Sequence, residues 1–311
     1  MSGNAVTVKT GVESVRMDVD TYNRVKSEVF AILDSLNVTY LDIPYVKEKQ
    51  DFGDLDIIVI DCNIMEHIDK FNVNDNFVNN KPVVSILYEG KYQVDFIKSN
   101  MQNAFYMQKY LSYNDLGNLI GRMVRPFELV HSIEGLYFKK DMIGYSIKEL
   151  ISLDYRKVLE ILKLDVDTFD NGFDTFNDMF DYVTSSPYFD YSRFLFDNLN
   201  NRNRVRDKKR KVYNMFLEYI NSKTFKEPLF YNVYDHYPVL KHIVVKTSNQ
   251  QAYNKALRNA IDVNVVMQIT SLKNKELGDF IALMKETYNE KLLTMTSQEK
   301  ISAIKELYET F

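Results

Sequence analysis

Apolar residues recur at helical spacing from Thr21 to Leu36, at Val25, Val29, Ile32, Leu33 and Leu36, and Asn37 follows as a helix stop. The pattern then turns strand-like. Residues 38–46 (VTYLDIPYV) read as extended, and LDIIVI at 55–60 is a β-branched run bounded by Gly53. A short helix is expected over 63–72. Residues 83–90 (VVSILYEG) and 91–98 (KYQVDFIK) read as two strands joined tightly at Glu89-Gly90. Beyond residue 100 the period changes back to helical. Helices are expected over 100–111 and 114–125, the second capped by Asn114 and stopped by Pro126, then a hairpin in FELVHSIEGLYFKK and a helix over 154–164. Further helices are expected over 173–183, 190–199, about 203–221, 250–262 and 275–308, after a loose tail at 1–12. A mixed sheet followed by helices predicts an α+β fold. It divides near residue 150 into a catalytic half (1–150) and a mainly helical second half (151–311).

Composition narrows the class. The chain has 311 residues, 45% of them hydrophobic and 26% charged, which is globular. With 10 Gly and 6 Pro and no low-complexity tract, no long flexible linker is expected. Cys62 is the single cysteine, so no intrachain disulfide can form. No apolar run reaches about 18 residues and the N-terminus lacks an apolar signal core, so the expectation is a cytoplasmic protein that does not enter a membrane. The net charge of -4 does not announce a nucleic-acid binder, although a local patch could still act as one.

The candidate chemistry lies in Phe52-Gly53-Asp54-Leu55-Asp56-Ile57. Side chains two apart in a strand share a face. Asp54 and Asp56 therefore lie side by side, about 6–7 Å apart along the chain, with Leu55, Ile57 and Val59 on the opposite face. Asp95 interrupts QVDFI in the same way on what should be a neighbouring strand. Two like charges near 4 Å repel by about 4 kcal/mol at an effective dielectric of 20. That repulsion disappears when cations sit between them, and oxygen-only ligands suit Mg²⁺, with Mn²⁺ as a substitute. Two such ions can clamp the entering and leaving oxygens of a phosphoryl displacement. A D-x-D at a sheet margin can also be a pair of solvated acids. Gly53 before it, the apolar strand after it and the second acid some 40 residues on favour a site.

Residues 201–211 (NRNRVRDKKRK) hold seven basic side chains and one acid. Val205, Val212, Phe216 and Tyr219 fall on one helical stripe, which turns Arg202, Arg206, Lys209 and Arg210 outward. Such a block suits nucleic-acid or triphosphate phosphates; a plain solvated helix face is the alternative. No His/Cys spacing suits zinc, no Ser-His-Asp order emerges, and phosphate loops of the Walker or dinucleotide type are absent. The aromatic residues over 169–194 are spaced for helix core.

Gly53-Asp54-Leu55-Asp56-Ile57 resembles the G-D-h-D-h signature (h hydrophobic) of the polymerase beta nucleotidyltransferase superfamily, and Val94-Asp95-Phe96 resembles that family's third carboxylate. Residues 104–110, Tyr113 to Arg122 and Glu134-Gly135-Leu136-Tyr137 are similar to the helix, Arg-bearing helix and hairpin of family X DNA polymerases. SYNDLGNLIGR is also similar to nucleotidyltransferase-like proteins of phages and large DNA viruses, for which the setting would be the host cytoplasm. The resemblance covers roughly residues 20–165. It implies a nucleotidyltransferase-type mixed sheet with flanking helices and a two-metal transfer of NMP from an NTP or dNTP to a DNA or RNA 3'-hydroxyl. Asp54 and Asp56 would bind both metals, and Asp95 would bind the catalytic one and draw the proton from the hydroxyl. Lys47, or else Lys49, would meet the triphosphate, with Gly53, Arg122 and Arg125 beside the nucleotide. Two departures stand out. The family's Gly-Ser phosphate cradle is replaced by Asp42-Ile43-Pro44-Tyr45, and its sugar clamp by Tyr110-Leu111-Ser112-Tyr113. Only one helix precedes the first strand, so the lyase domain of repair polymerases is expected to be absent. Two rival expectations remain: a protein or small-molecule acceptor for the NMP, and a nucleotidyltransferase fold that has lost catalysis and serves as a binding protein.

Overall fold

The computed structural model describes residues 5–311. The fold is α+β. Five strands form a mixed sheet in the order β1-β2-β5-β4-β3, with β1 Tyr40–Asp42, β2 Leu55–Ile60, β3 Phe77–Asn80, β4 Val83–Tyr88 and β5 Tyr92–Ser99. Only β2 and β5 run parallel; β1, β4 and β3 pair antiparallel with their neighbours. β4 and β5 are joined at Glu89-Gly90, where both residues have positive φ (53° and 71°). Gly90 tolerates this conformation, and the loop between the paired Tyr88 and Tyr92 is three residues long, Glu89 to Lys91.

Strand alternation divides the sheet's side chains between two helical layers. Leu55, Ile57, Val59, Val94 and Phe96 pack with Val25, Val29 and Leu33 of the helix Val19–Ser35. Ile58, Ile60 and Ile97 pack on the other face with Ala104 and Met107 of the helix Met101–Leu111. The sheet is thus a filling between two amphipathic helices, and Asp56 and Asp95 fall on the face of the second. Asp18 caps the first helix through Thr21 N (2.8 Å), and Asn100 caps the second through Asn103 N (2.9 Å).

A second sheet follows, in the order β6-β7-β8: β6 Leu129–Ser132, β7 Gly135–Met142 and β8 Tyr145–Ser152. The helices Leu116–Val124, Tyr155–Leu162, Val166–Asn171, Phe176–Thr184, Asn201–Asp207 and Lys211–Asn221 belong to this part. Most of the aromatic residues of 169–194 are core, with Phe169, Phe173, Phe180 and Phe189 buried and Tyr191 exposed. The chain divides into two compact units, residues 1–233 and 234–311. The boundary expected near residue 150 falls inside the first unit, because the helices after it pack with one another and with the helix Leu116–Val124. The second unit is entirely helical and has its own core, in which Leu257, Val266, Phe280, Met284 and Ile304 meet.

Several local expectations change. The tail carries a helix, Ala5–Thr10, with Val6 buried beside Val78 and Leu87. Asn114 does not cap its helix: it sits at φ 64°, and Asp115 takes the cap position without a side-chain bond. Residues 190–199 form 3₁₀ turns, and 203–221 is two helices broken at 208–210. Val205 is 62% exposed, so the stripe drawn through it does not face the core. The two strands β3 and β8 were not anticipated. Among the described residues no helix is long and apolar enough to cross a membrane.

Candidate metal centre and its basic wall

Parallel pairing of β2 with β5 sets Asp56 directly opposite Asp95, and Asp54 lies two residues before Asp56 on the same face. One carboxylate oxygen from each of the three lies within 4.8 Å of the others. Asp95 is buried and braced. Gln93, two residues earlier on the same face, donates Nε2 to its Oδ1 at 2.9 Å, and the hydroxyl of Ser85, opposite it on β4, donates as well. Asp54 Oδ2 is buried and has no hydrogen-bond partner, an expensive condition for a carboxylate oxygen.

The carboxylates respond to this crowding. Burial, and then the charge of Asp95, pushes the Asp54 carboxyl up to about 6. Burial raises Asp56 well above the carboxylate range, with Asp54 and Asp95 adding to it. Burial also raises Asp95, against the lowering effect of its two hydrogen bonds. No arginine or lysine forms an ion pair with any of the three among the described residues; Lys49 is near enough to favour the charged forms of Asp54 and Asp56, and its ammonium lies 4.5 Å from the Phe52 ring centre. All three carboxylates are hard oxygen donors, and an orphaned oxygen among them fits a divalent cation of the Mg²⁺ type.

Asp54 and Asp56 open into a cleft of about 870 Å³, near the upper end of ordinary ligand pockets. One side is the segment from β1 to β2, including Ile43, Pro44 and Tyr45. It is held in place from behind, since Tyr113 N donates to Pro44 O at 2.8 Å and Lys47 N to Phe173 O at 3.0 Å. Another side is built by Tyr110, Asn114 and Asn118, and a third by Arg206, Lys209, Arg210 and Lys211 around the break between the helices Asn201–Asp207 and Lys211–Asn221.

The basic block therefore lines the same cleft as Asp54 and Asp56, but its members differ. Asp207 is completely buried and is bound by Arg122, by Arg206 (Nε to Oδ1, 2.8 Å) and more distantly by Arg210. Arg210 also pairs with Asp115, and Arg206 Nη2 donates to Asn118 Oδ1 at 2.9 Å. Arg206 and Arg210 are thus partly neutralised where they line the cleft. Arg122 does not reach it: the side chain is buried against Tyr213 and Asp207, which corrects its placement beside a nucleotide. Lys47 is exposed and paired to Asp174 at 2.6 Å, away from the cleft lining, so of these two lysines it is Lys49 that lines the cleft. Gly53 lines the cleft, whereas Arg125 and Arg202 are exposed outside it.

Sequence reasoning missed Ser85, Gln93, Asp207 and Lys211. Gln93 was readable from its i−2 spacing to Asp95. Ser85 needed the strand register, and Asp207 looked like the one acid interrupting a basic run. No family model matches the chain, and no curated protein matches it.

Proposed function

We propose that the chain is a divalent-metal-dependent nucleotidyltransferase of the polymerase beta type, which transfers NMP from an NTP or dNTP to a nucleic-acid 3'-hydroxyl. The observation that carries this reading is the convergence of Asp54, Asp56 and Asp95 within 4.8 Å, with Asp54 and Asp56 lining a cleft that Arg206, Lys209, Arg210 and Lys211 also line and Asp95 buried just behind them. Three carboxylates so close, with no ion-pair partner among the described residues, repel one another by roughly 3 kcal/mol per pair at an effective dielectric of 20, and a fold keeps such a set where a cation offsets it.

Asp54, Asp56 and Asp95 would hold two Mg²⁺ or Mn²⁺ ions. Bound there, the ions would supply neutralising charge to the triphosphate and Lewis acidity at the reacting phosphorus. The chain's own groups do the rest. Asp95, oriented by Gln93 and Ser85 and with its proton affinity raised by burial, accepts the proton of the attacking hydroxyl. The hydroxyl oxygen then bonds the α-phosphorus as the bond to pyrophosphate breaks. Asp54 and Asp56, on the adjacent strand, would hold the ions that draw the donor toward this oxygen.

The test is incubation with labelled NTPs and dNTPs, Mg²⁺ or Mn²⁺, and primer-template DNA, tRNA or protein acceptors, with identification of the labelled product. We expect nucleic acid to be labelled. Asp95→Asn should reduce transfer by roughly 10²–10⁴-fold without changing the circular dichroism spectrum. Full activity in that variant removes Asp95 from the mechanism. A labelled protein or small molecule would reassign the acceptor, and absence of both transfer and Mg²⁺-dependent nucleotide binding would leave a binding protein.

A further inference from the structure

A transferase of this kind must hold several phosphate charges, and the segment that leads into Asp54 is poorly equipped to do so. Pro44 has no amide N–H to donate, and its carbonyl is already taken by Tyr113. Lys47 is turned away onto Asp174. The compensating charge lies elsewhere on the cleft lining. Lys209 and Lys211 are exposed, line the cleft, and are not within ion-pair distance of any carboxylate among the described residues. Lys211 feels Asp51, but Arg16 already holds that carboxylate at 2.7 Å. The arginines between them are different, since Asp207 and Asp115 occupy Arg206 and Arg210. The buried Asp207, clasped by Arg122 and Arg206, fixes the break at 208–210 that presents both lysines.

We infer that Lys209 and Lys211 form a phosphate-binding pair on the lining of the cleft that holds Asp54 and Asp56, with Lys49 on the same lining. The pair receives phosphate oxygens of the substrate, either the polyphosphate of the donor or the backbone of the acceptor strand. A lysine ammonium serves phosphate as a flexible point charge and needs no fixed fork. The arginines are the braces and the lysines the ligands. This rests on the nucleotidyl-transfer reading only for the identity of the substrate; the phosphate site stands on its own charges.

The test measures binding in EDTA, so that metal plays no part, by calorimetry with inorganic tripolyphosphate and by fluorescence anisotropy with a short labelled single-stranded oligonucleotide. The full chain is compared with Lys209→Ala/Lys211→Ala, and with Arg125→Ala/Arg202→Ala as a control that removes the same charge outside the cleft. The lysine double variant should weaken at least one probe by about tenfold per lost contact. If the oligonucleotide is the ligand, the slope of log K against log salt should fall by about 1.4, two contacts at 0.7 each. Loss with tripolyphosphate alone assigns the pair to the donor, and loss with the oligonucleotide alone assigns it to the acceptor; both support the site. Lys209→Arg/Lys211→Arg should retain binding. Unchanged binding in the lysine-to-alanine variant overturns the inference, as does an equal loss in Arg125→Ala/Arg202→Ala, which would mean bulk charge. Lysine-dependent binding in a protein that transfers no nucleotide would leave the inference standing and remove the functional reading. Transfer with lysine-independent binding would do the reverse.

Discussion

Asp54, Asp56 and Asp95 titrate as they do because each loses water and meets its neighbours. A carboxyl with a higher pKa folded than unfolded binds more protons in the folded state. The metal-free chain should therefore lose stability as pH rises from Asp54's ordinary 3.8 through its folded value of about 6. The penalty is complete above that value and absent below the ordinary one. Cations and protons compete for the same oxygens, so Mg²⁺ should stabilise the chain at pH 7.5 and have little effect at pH 5. At a hundredfold excess over its Kd a bound ion adds about 2.7 kcal/mol, about 5–10 °C in Tm for a unit of this size. Thermal melts at the two pH values, with Mg²⁺ and with EDTA, check this. Equal shifts at both, or a metal-free Tm that rises from pH 5 to 7.5, would contradict the electrostatic account of the three acids.

At the scale of elements, two contacts set the cleft's shape. One is the register of β2 against β5, which decides that Asp56 meets Asp95 and not a hydrophobic neighbour; a slip of one residue would turn the acids into the core face. The other is the meeting of the helices Met101–Leu111 and Leu116–Val124, which supply Tyr110, Asn114 and Asn118. Gly117 makes that turn close enough: a Cβ there would lie 2.1 Å from the backbone oxygen of Tyr110. Gly117→Ala should force the backbone apart and cost about 1–3 kcal/mol, with loss of substrate binding beyond the loss of stability. Denaturant unfolding together with a binding assay tests this, and an unchanged midpoint would show that the two helices are free to separate.

For the whole molecule, the net charge of -4 conceals a local arrangement in which a basic loop lines the same cleft as Asp54 and Asp56. The division at Val233 places every residue of that cleft within the first unit. The second unit has a core of its own, built from Leu257, Val266, Phe280, Met284, Leu292 and Ile304, and a capping box at Thr296 and Glu299. Residues 234–311 expressed alone should give a helical circular dichroism spectrum and a cooperative thermal transition. A gradual, non-cooperative melt would mean that this core needs the rest of the chain.

The sequence alone determined whatever depends on near neighbours: the helix Val19–Ser35 from its apolar spacing, β2 from a β-branched run, the β4–β5 turn from Glu89-Gly90, and the shared face of Asp54 and Asp56 from strand alternation. Those properties follow from backbone periods of 3.6 and 2. The tertiary structure alone decided which distant groups meet. It joined Asp95 to Asp56 by parallel pairing, sent Arg122 inward to Asp207 and Lys47 outward to Asp174, and left Lys209 and Lys211 on the cleft with no ion-pair partner among the described residues. A charged side chain carries no local mark of the partner it will find, because that choice depends on packing between segments far apart in the chain.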